Sequence, residues 1–139
     1  MSRIKVAVIG VGYLGEFHAQ KYKANKNADL IGLVDTNITR CKEISRKNNV
    51  TPYENYEDII NLVDAVSIVV PTNLHYKIAS FFIKNNKHVL IEKPFASNLS
   101  EAKKLEKIIK EKNINLEVGH LERFNKAFVK LNNKVKNPI

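Results

Sequence analysis

Three groups of residues in this sequence have the types and spacing for chemistry. The first is Gly10-Val11-Gly12-Tyr13-Leu14-Gly15, which directly follows the apolar run Ile4-Lys5-Val6-Ala7-Val8-Ile9 and precedes a helical pattern. A strand that ends in glycine, turns tightly and opens a helix offers backbone N–H groups and the positive end of a helix dipole to a pyrophosphate. Gly10 permits the turn, Gly12 lets a phosphate approach the backbone, and Gly15 lets helix and strand pack closely. The second is Asp35, twenty residues after Gly15 at the end of Leu30-Ile31-Gly32-Leu33-Val34, where an acid accepts hydrogen bonds from adenosine ribose hydroxyls. A 2′-phosphate there would set two anions side by side, so NAD is expected as cofactor ahead of NADP. Arg40 complicates this, since a guanidinium swung over the ribose would neutralise the phosphate. The third group is Glu92-Lys93-Pro94. An acid and a base that leave a buried strand together mark either a functional site or a structural ion pair.

These residues need elements to hold them. The spacing predicts a helix over 14–24, a strand over 28–34, a helix over 38–48, a short strand around Pro52 and a short helix from Tyr56 capped by Asn55. Ala65-Val66-Ser67-Ile68-Val69-Val70 is a near-continuous apolar run, as in a strand covered on both faces. A helix over 73–84, a strand over 88–91, a helix capped by Ser100 and a strand over 115–118 follow. Strands and helices alternate throughout, which predicts an α/β, doubly wound parallel sheet of Rossmann type in the order 3-2-1-4-5-6. Ligands in such a sheet bind beyond the carboxyl ends of the strands. The residues there are Gly10, Gly12 and Gly15; Asp35 and Thr36; Pro71, Thr72 and Asn73; Glu92, Lys93 and Pro94; and His120 with Arg123. Thr72 and Asn73 also suit a helix cap. His75, in the first turn of that helix, suits a packed, hydrogen-bonded ring.

Composition narrows the function classes. At 139 residues, 44% hydrophobic and 27% charged, the chain is that of one globular domain. No apolar run approaches the ~20 residues of a membrane span. The N-terminus leads straight into the first strand and does not resemble a secretion signal, so a cytoplasmic location is expected. The net charge is +9, yet only Arg3, Arg40, Arg46 and Arg123 are arginines among 23 cations. Nucleic-acid sites favour arginine and clustered basic faces, whereas Lys103, Lys104, Lys107, Lys110 and Lys112 are interleaved with Glu101, Glu106 and Glu111; no nucleic-acid partner is expected. Cys41 has no second thiol to pair with and no metal site around it, and is expected to face a partner or solvent.

Taken together, Gly10 to Gly15, Asp35, Pro71-Thr72-Asn73 with His75, and above all Glu92-Lys93-Pro94 resemble the N-terminal half of the glucose–fructose oxidoreductase, inositol dehydrogenase and rhizopine-catabolism (Gfo/Idh/MocA) family. The resemblance covers residues 1 to about 125. Residues 118–125, Val-Gly-His-Leu-Glu-Arg-Phe-Asn, further resemble the branch that oxidises nucleotide-linked amino sugars, the UDP-N-acetylglucosamine 3-dehydrogenases. The family implies NAD(P)-dependent hydride transfer to or from a sugar hydroxyl. It implies Lys93 as the catalytic residue, Glu92 beside the nicotinamide ribose, and cofactor contacts from Gly10, Val11, Gly12, Tyr13, Leu14, Gly15, Asp35, Thr36, Arg40, Pro71, Thr72, Asn73 and His75. His120 and Arg123 are candidate substrate contacts. The family's second half, a large open sheet, supplies a histidine, sugar contacts and the oligomer interface. Residues 1–122 are therefore expected to form the dinucleotide-binding domain, and 123–139 a poorly ordered start of a connection to a second domain. Three alternatives stay open: the cofactor half of a split or truncated gene, which would self-associate or take its C-terminal half from a partner chain; a fragment of a longer product; or a nucleotide-binding module without catalysis of its own.

Overall fold

The computed structural model describes residues 2–134. Six parallel strands, β1 (Ile4–Ile9), β2 (Ala28–Val34), β3 (Thr51–Tyr53), β4 (Ala65–Ile68), β5 (His88–Ile91) and β6 (Leu116–Val118), form one sheet in the order β3-β2-β1-β4-β5-β6. The helices are α1 (Tyr13–Ala24), α2 (Ile38–Asn48), α3 (His75–Lys84), α4 (Leu99–Lys112) and α5 (Lys126–Lys134). The order reverses at β1, whose neighbours are β2 and β4. Loops at the carboxyl ends of these three strands diverge to opposite sides and leave a crevice between them.

Alternation along β1 divides the core in two. Val6 and Val8 join Leu30, Leu33, Cys41 and Ile44 on the side of α1 and α2. Ala7 and Ile9 join Val66, Ile68, Phe82, Ile91 and Leu105 on the side of α3 and α4. Both faces of the sheet are thus covered, which is why its central strands are apolar at successive positions.

Several local expectations are corrected. Cys41 is fully buried, its thiol pointing at the Leu33 carbonyl 3.2 Å away. With Ile44, Ser45 and Asn48 it forms the inward stripe of α2, a helical spacing of three, four and seven that the polar residues between obscure. Asn98, rather than Ser100, caps α4, accepting from the Glu101 N–H at 3.0 Å. Asn55 occupies the cap position of a 3-10 turn, Tyr56–Ile59, without a side-chain bond. Neither Thr72 nor Asn73 caps a helix: Thr72–Leu74 is a 3-10 turn leading into α3, and no side chain caps either. Beyond β6 a 3-10 turn, Leu121–Phe124, and α5 carry the exposed side chains of Leu121, Phe124, Phe128 and Leu131. Residues 135–139 of the expected connection lie outside the described residues. No described helix is long and apolar enough to cross a membrane.

Candidate functional site

The three loop glycines are glycine for different reasons. Gly10 has φ +86°, and a Cβ there would run into the Val69 carbonyl; a Cβ on Gly15 would collide with the Gly10 carbonyl. Both serve the chain's own packing. A Cβ on Gly12 would meet nothing within 4 Å, so the chain itself does not require glycine at this place. Gly12 is also the N-cap of α1 and carries no capping side chain. A bare helix start with open space above it is a cradle that fits a pyrophosphate.

Asp35 is held by two backbone donors, Val11 N–H to Oδ2 at 2.7 Å and Asn37 N–H to Oδ1 at 2.8 Å. An ionised carboxylate offers about four acceptor sites, so roughly two remain for ribose hydroxyls. Arg40 donates from Nε to the Val11 carbonyl at 2.8 Å, and its Nη2 lies 3.5 Å from Glu16 Oε2. A crevice of about 400 Å³ opens here, lined by Gly10, Gly12, Asp35, Thr36 and Pro71 as the sequence suggested. Glu54, Tyr56, Leu74, Lys77 and Ile78 also line it and were not anticipated.

Other expected contacts stand apart from that crevice. Val11 is buried and offers only its backbone, while Tyr13 and Leu14 project from the first turn of α1 into solvent. Thr72 accepts from the Ser97 hydroxyl at 3.2 Å through its carbonyl, and Asn73 is exposed. His75 is almost completely buried, Nδ1 lying 2.9 Å from the Pro94 carbonyl and Nε2 2.9 Å from the Val70 carbonyl. The ring ties the turn after β4 to the turn after β5, as a packed histidine would.

Glu92 and Lys93 point to different places. The Glu92 carboxylate is 7% exposed and turns inward, Oε1 lying 3.1 Å from His18 Nε2 and Oε2 accepting weakly from the Lys93 N–H at 3.3 Å. His18 Nδ1 is 2.7 Å from the Ser67 hydroxyl on β4. Burial pushes the Tyr22 phenol above its ordinary pKa, and the neighbouring Ser67 hydroxyl opposes the shift. The acid's partner is thus His18, a residue the sequence reading passed over. Two signals pointed to it. His18 lies three residues beyond Gly15 on the face of α1 that must approach the sheet, and Ser67 is a polar residue in a strand covered on both sides, where a buried hydroxyl needs a partner.

Lys93 is exposed, followed by a cis peptide bond to Pro94. It lines a second hollow of about 300 Å³ with His120, Leu121, Glu122, Arg123 and Phe128. The fold therefore brings together the candidate catalytic lysine and both candidate substrate contacts, at the carboxyl ends of β5 and β6. Among the described residues no group of three or more His, Cys, Asp or Glu side chains could hold a metal ion.

Residues 4–120 match the model of an oxidoreductase family with an NAD-binding Rossmann fold, Gfo/Idh/MocA. UDP-N-acetylglucosamine 3-dehydrogenase of Acidithiobacillus ferrooxidans is 38% identical over 127 residues, covering 91% of this chain and 40% of that protein. Myo-inositol 2-dehydrogenase of Thermotoga maritima is 32% identical, covering 96% of this chain and 41% of its own. A solved structure of the Acidithiobacillus enzyme superimposes with a TM-score of 0.90 at 36% identity, over 99% of this chain and 45% of that one. The chain thus spans about two-fifths of the length of the curated relatives it matches.

Proposed function

Because the chain belongs to the Gfo/Idh/MocA oxidoreductase family, we propose that it is the cofactor half of an NAD-dependent dehydrogenase acting on a sugar or nucleotide-sugar hydroxyl. The observation that carries this reading is Gly12, bare without internal need at a helix start beside an acid with acceptor sites to spare. The nicotinamide, when bound, supplies the hydride acceptor or donor. The start of α1 faces the pyrophosphate with its N–H groups, and Asp35 receives the adenosine ribose hydroxyls. Lys93 hydrogen-bonds the substrate hydroxyl and exchanges its proton at Nζ as the carbinol becomes a carbonyl. His120 and Arg123, on the same hollow, hold the sugar or its anionic substituent. The resemblance of residues 118–125 and the Acidithiobacillus relative favour a nucleotide-linked amino sugar as substrate.

A second reading, dinucleotide binding without independent catalysis, is favoured by the openness of the Lys93 side. Phe124 is 83% exposed, and the hollow is lined by Lys93 from the turn after β5 and by residues between His120 and Phe128. Holding the carbinol carbon over the nicotinamide can account for roughly 7 to 11 kcal/mol of a barrier, and an open hollow does this less well than an enclosed one. The two readings meet in one experiment: a screen of sugars and UDP-sugars for NADH formation, with and without the second half of a relative supplied. The proposal expects turnover only with the second half, and its loss on Lys93→Met. Turnover that survives Lys93→Met would overturn the role of Lys93.

A further inference from the structure

Arg40 is the cation beside Asp35 that would meet a 2′-phosphate, and it is held elsewhere. Its Nε donates to the Val11 carbonyl at 2.8 Å, and its Nη2 lies 3.5 Å from Glu16 Oε2. The Val11 N–H donates to Asp35 at 2.7 Å. The acid and the base that flank the ribose position are therefore both fastened to one residue of the glycine loop, one through its N–H and the other through its carbonyl. Glu16, in the first turn of α1, also lies 3.6 Å from Lys47, which pairs more closely with Glu43 at 2.9 Å. Across the crevice the charged groups are Glu54 and Lys77.

A carboxylate in the first turn of a helix suits the helix dipole but opposes an anionic ligand at the same helix end. Glu16 thus works against phosphate binding in general unless its charge has another use there. We propose that Glu16 is a specificity-determining residue: by holding Arg40 against the Val11 carbonyl it withholds the guanidinium from a 2′-phosphate, so the site takes NAD and disfavours NADP. This rests on the reading of the crevice as a dinucleotide site. Asp35 repels the phosphate, and the Glu16–Arg40 pair keeps the nearest compensating charge away. Both partners are partly open to water, so the hold is a bias that binding can overcome and its expected effect is a few-fold.

The test is calorimetric titration of the chain with NAD⁺ and NADP⁺, using the wild type, Glu16→Gln, Arg40→Gln and the double variant. Glu16→Gln should raise the affinity for NADP⁺ relative to NAD⁺ by about three- to fivefold, the range that a half-exposed ion pair supplies. That gain should vanish when Arg40→Gln is also present, because the freed guanidinium is its source. Equal gains for both cofactors would show Glu16 acting on the pyrophosphate and overturn the proposal, as would a ratio change that persists without Arg40. Failure of the wild type to bind either nucleotide would overturn the dinucleotide reading and this inference with it. Binding without a ratio change would overturn this inference alone.

Discussion

His18 Nε2 lies 3.1 Å from Glu92 Oε1, and this contact joins the helix that starts at the glycine loop to the turn that carries Lys93. Glu92 is buried and His18 is its one side-chain partner among the described residues, so the pair is asymmetric in what its loss would do. Replacing both members removes a charge and its counterpart, whereas replacing one strands a buried carboxylate.

His18→Ala should therefore destabilise the chain by about 2 to 3 kcal/mol, the expected range for a buried charged group left without its hydrogen bond. Glu92→Gln in the same background should recover part of that loss, since a neutral amide is less costly to leave unpaired. Urea unfolding of the two single variants and the double variant measures the coupling. Additive losses would show that the contact contributes nothing.

Asp35→Asn should lower NAD⁺ affinity by about tenfold, because hydrogen bonds to a charged acceptor contribute roughly 1.5 to 3 kcal/mol and a factor of ten is 1.4 kcal/mol. NADP⁺ should lose less, since the substitution also removes the repulsion of its 2′-phosphate. Calorimetric titration with NAD⁺ and NADP⁺ reads both changes.

Burial pushes the Cys41 thiol above its ordinary value of 9.0 and the Tyr22 phenol above 10.0. For such groups the folded state holds the proton longer than the unfolded state. Their contribution to stability is therefore complete below the unfolded pKa and declines as pH rises from about 9 through the folded values. Urea midpoints measured from pH 8 to 11 should fall, and less steeply in Cys41→Ala. The native thiol should react with a disulfide reagent no faster than the chain opens.

The parts of this architecture that were legible beforehand rest on local rules. Apolar runs closed by Gly10, Asp35, Pro71 and Glu92 announced strand ends, and the alternation of strands and helices announced the parallel sheet and its order. What stayed hidden depends on which side an element turns. Cys41 looked exposed because α2 is polar in composition, yet its spacing with Ile44 and Asn48 makes it core. The Glu92 carboxylate read as a companion of Lys93 because the two are adjacent in sequence, although adjacent residues at the end of a strand point opposite ways. Glu54 and Tyr56 line the crevice from the connection after β3, whose path no periodicity describes, and Lys77 reaches it from the first turn of α3, a place that depends on how that helix is turned.

The central claim, that this chain is built around a dinucleotide, turns on Gly12, where a side chain would meet only open space. Gly12→Val should leave the fold intact, with an unfolding midpoint close to the wild type. Gly10→Ala, which forces a Cβ into the Val69 carbonyl at φ +86°, should destabilise by more than about 1 kcal/mol. The decisive measurement is calorimetric titration of folded wild type and Gly12→Val with NAD⁺. Saturable binding of one NAD⁺ per chain by the wild type, abolished in Gly12→Val, is the predicted result; no binding by the wild type, or equal binding by both, would contradict it.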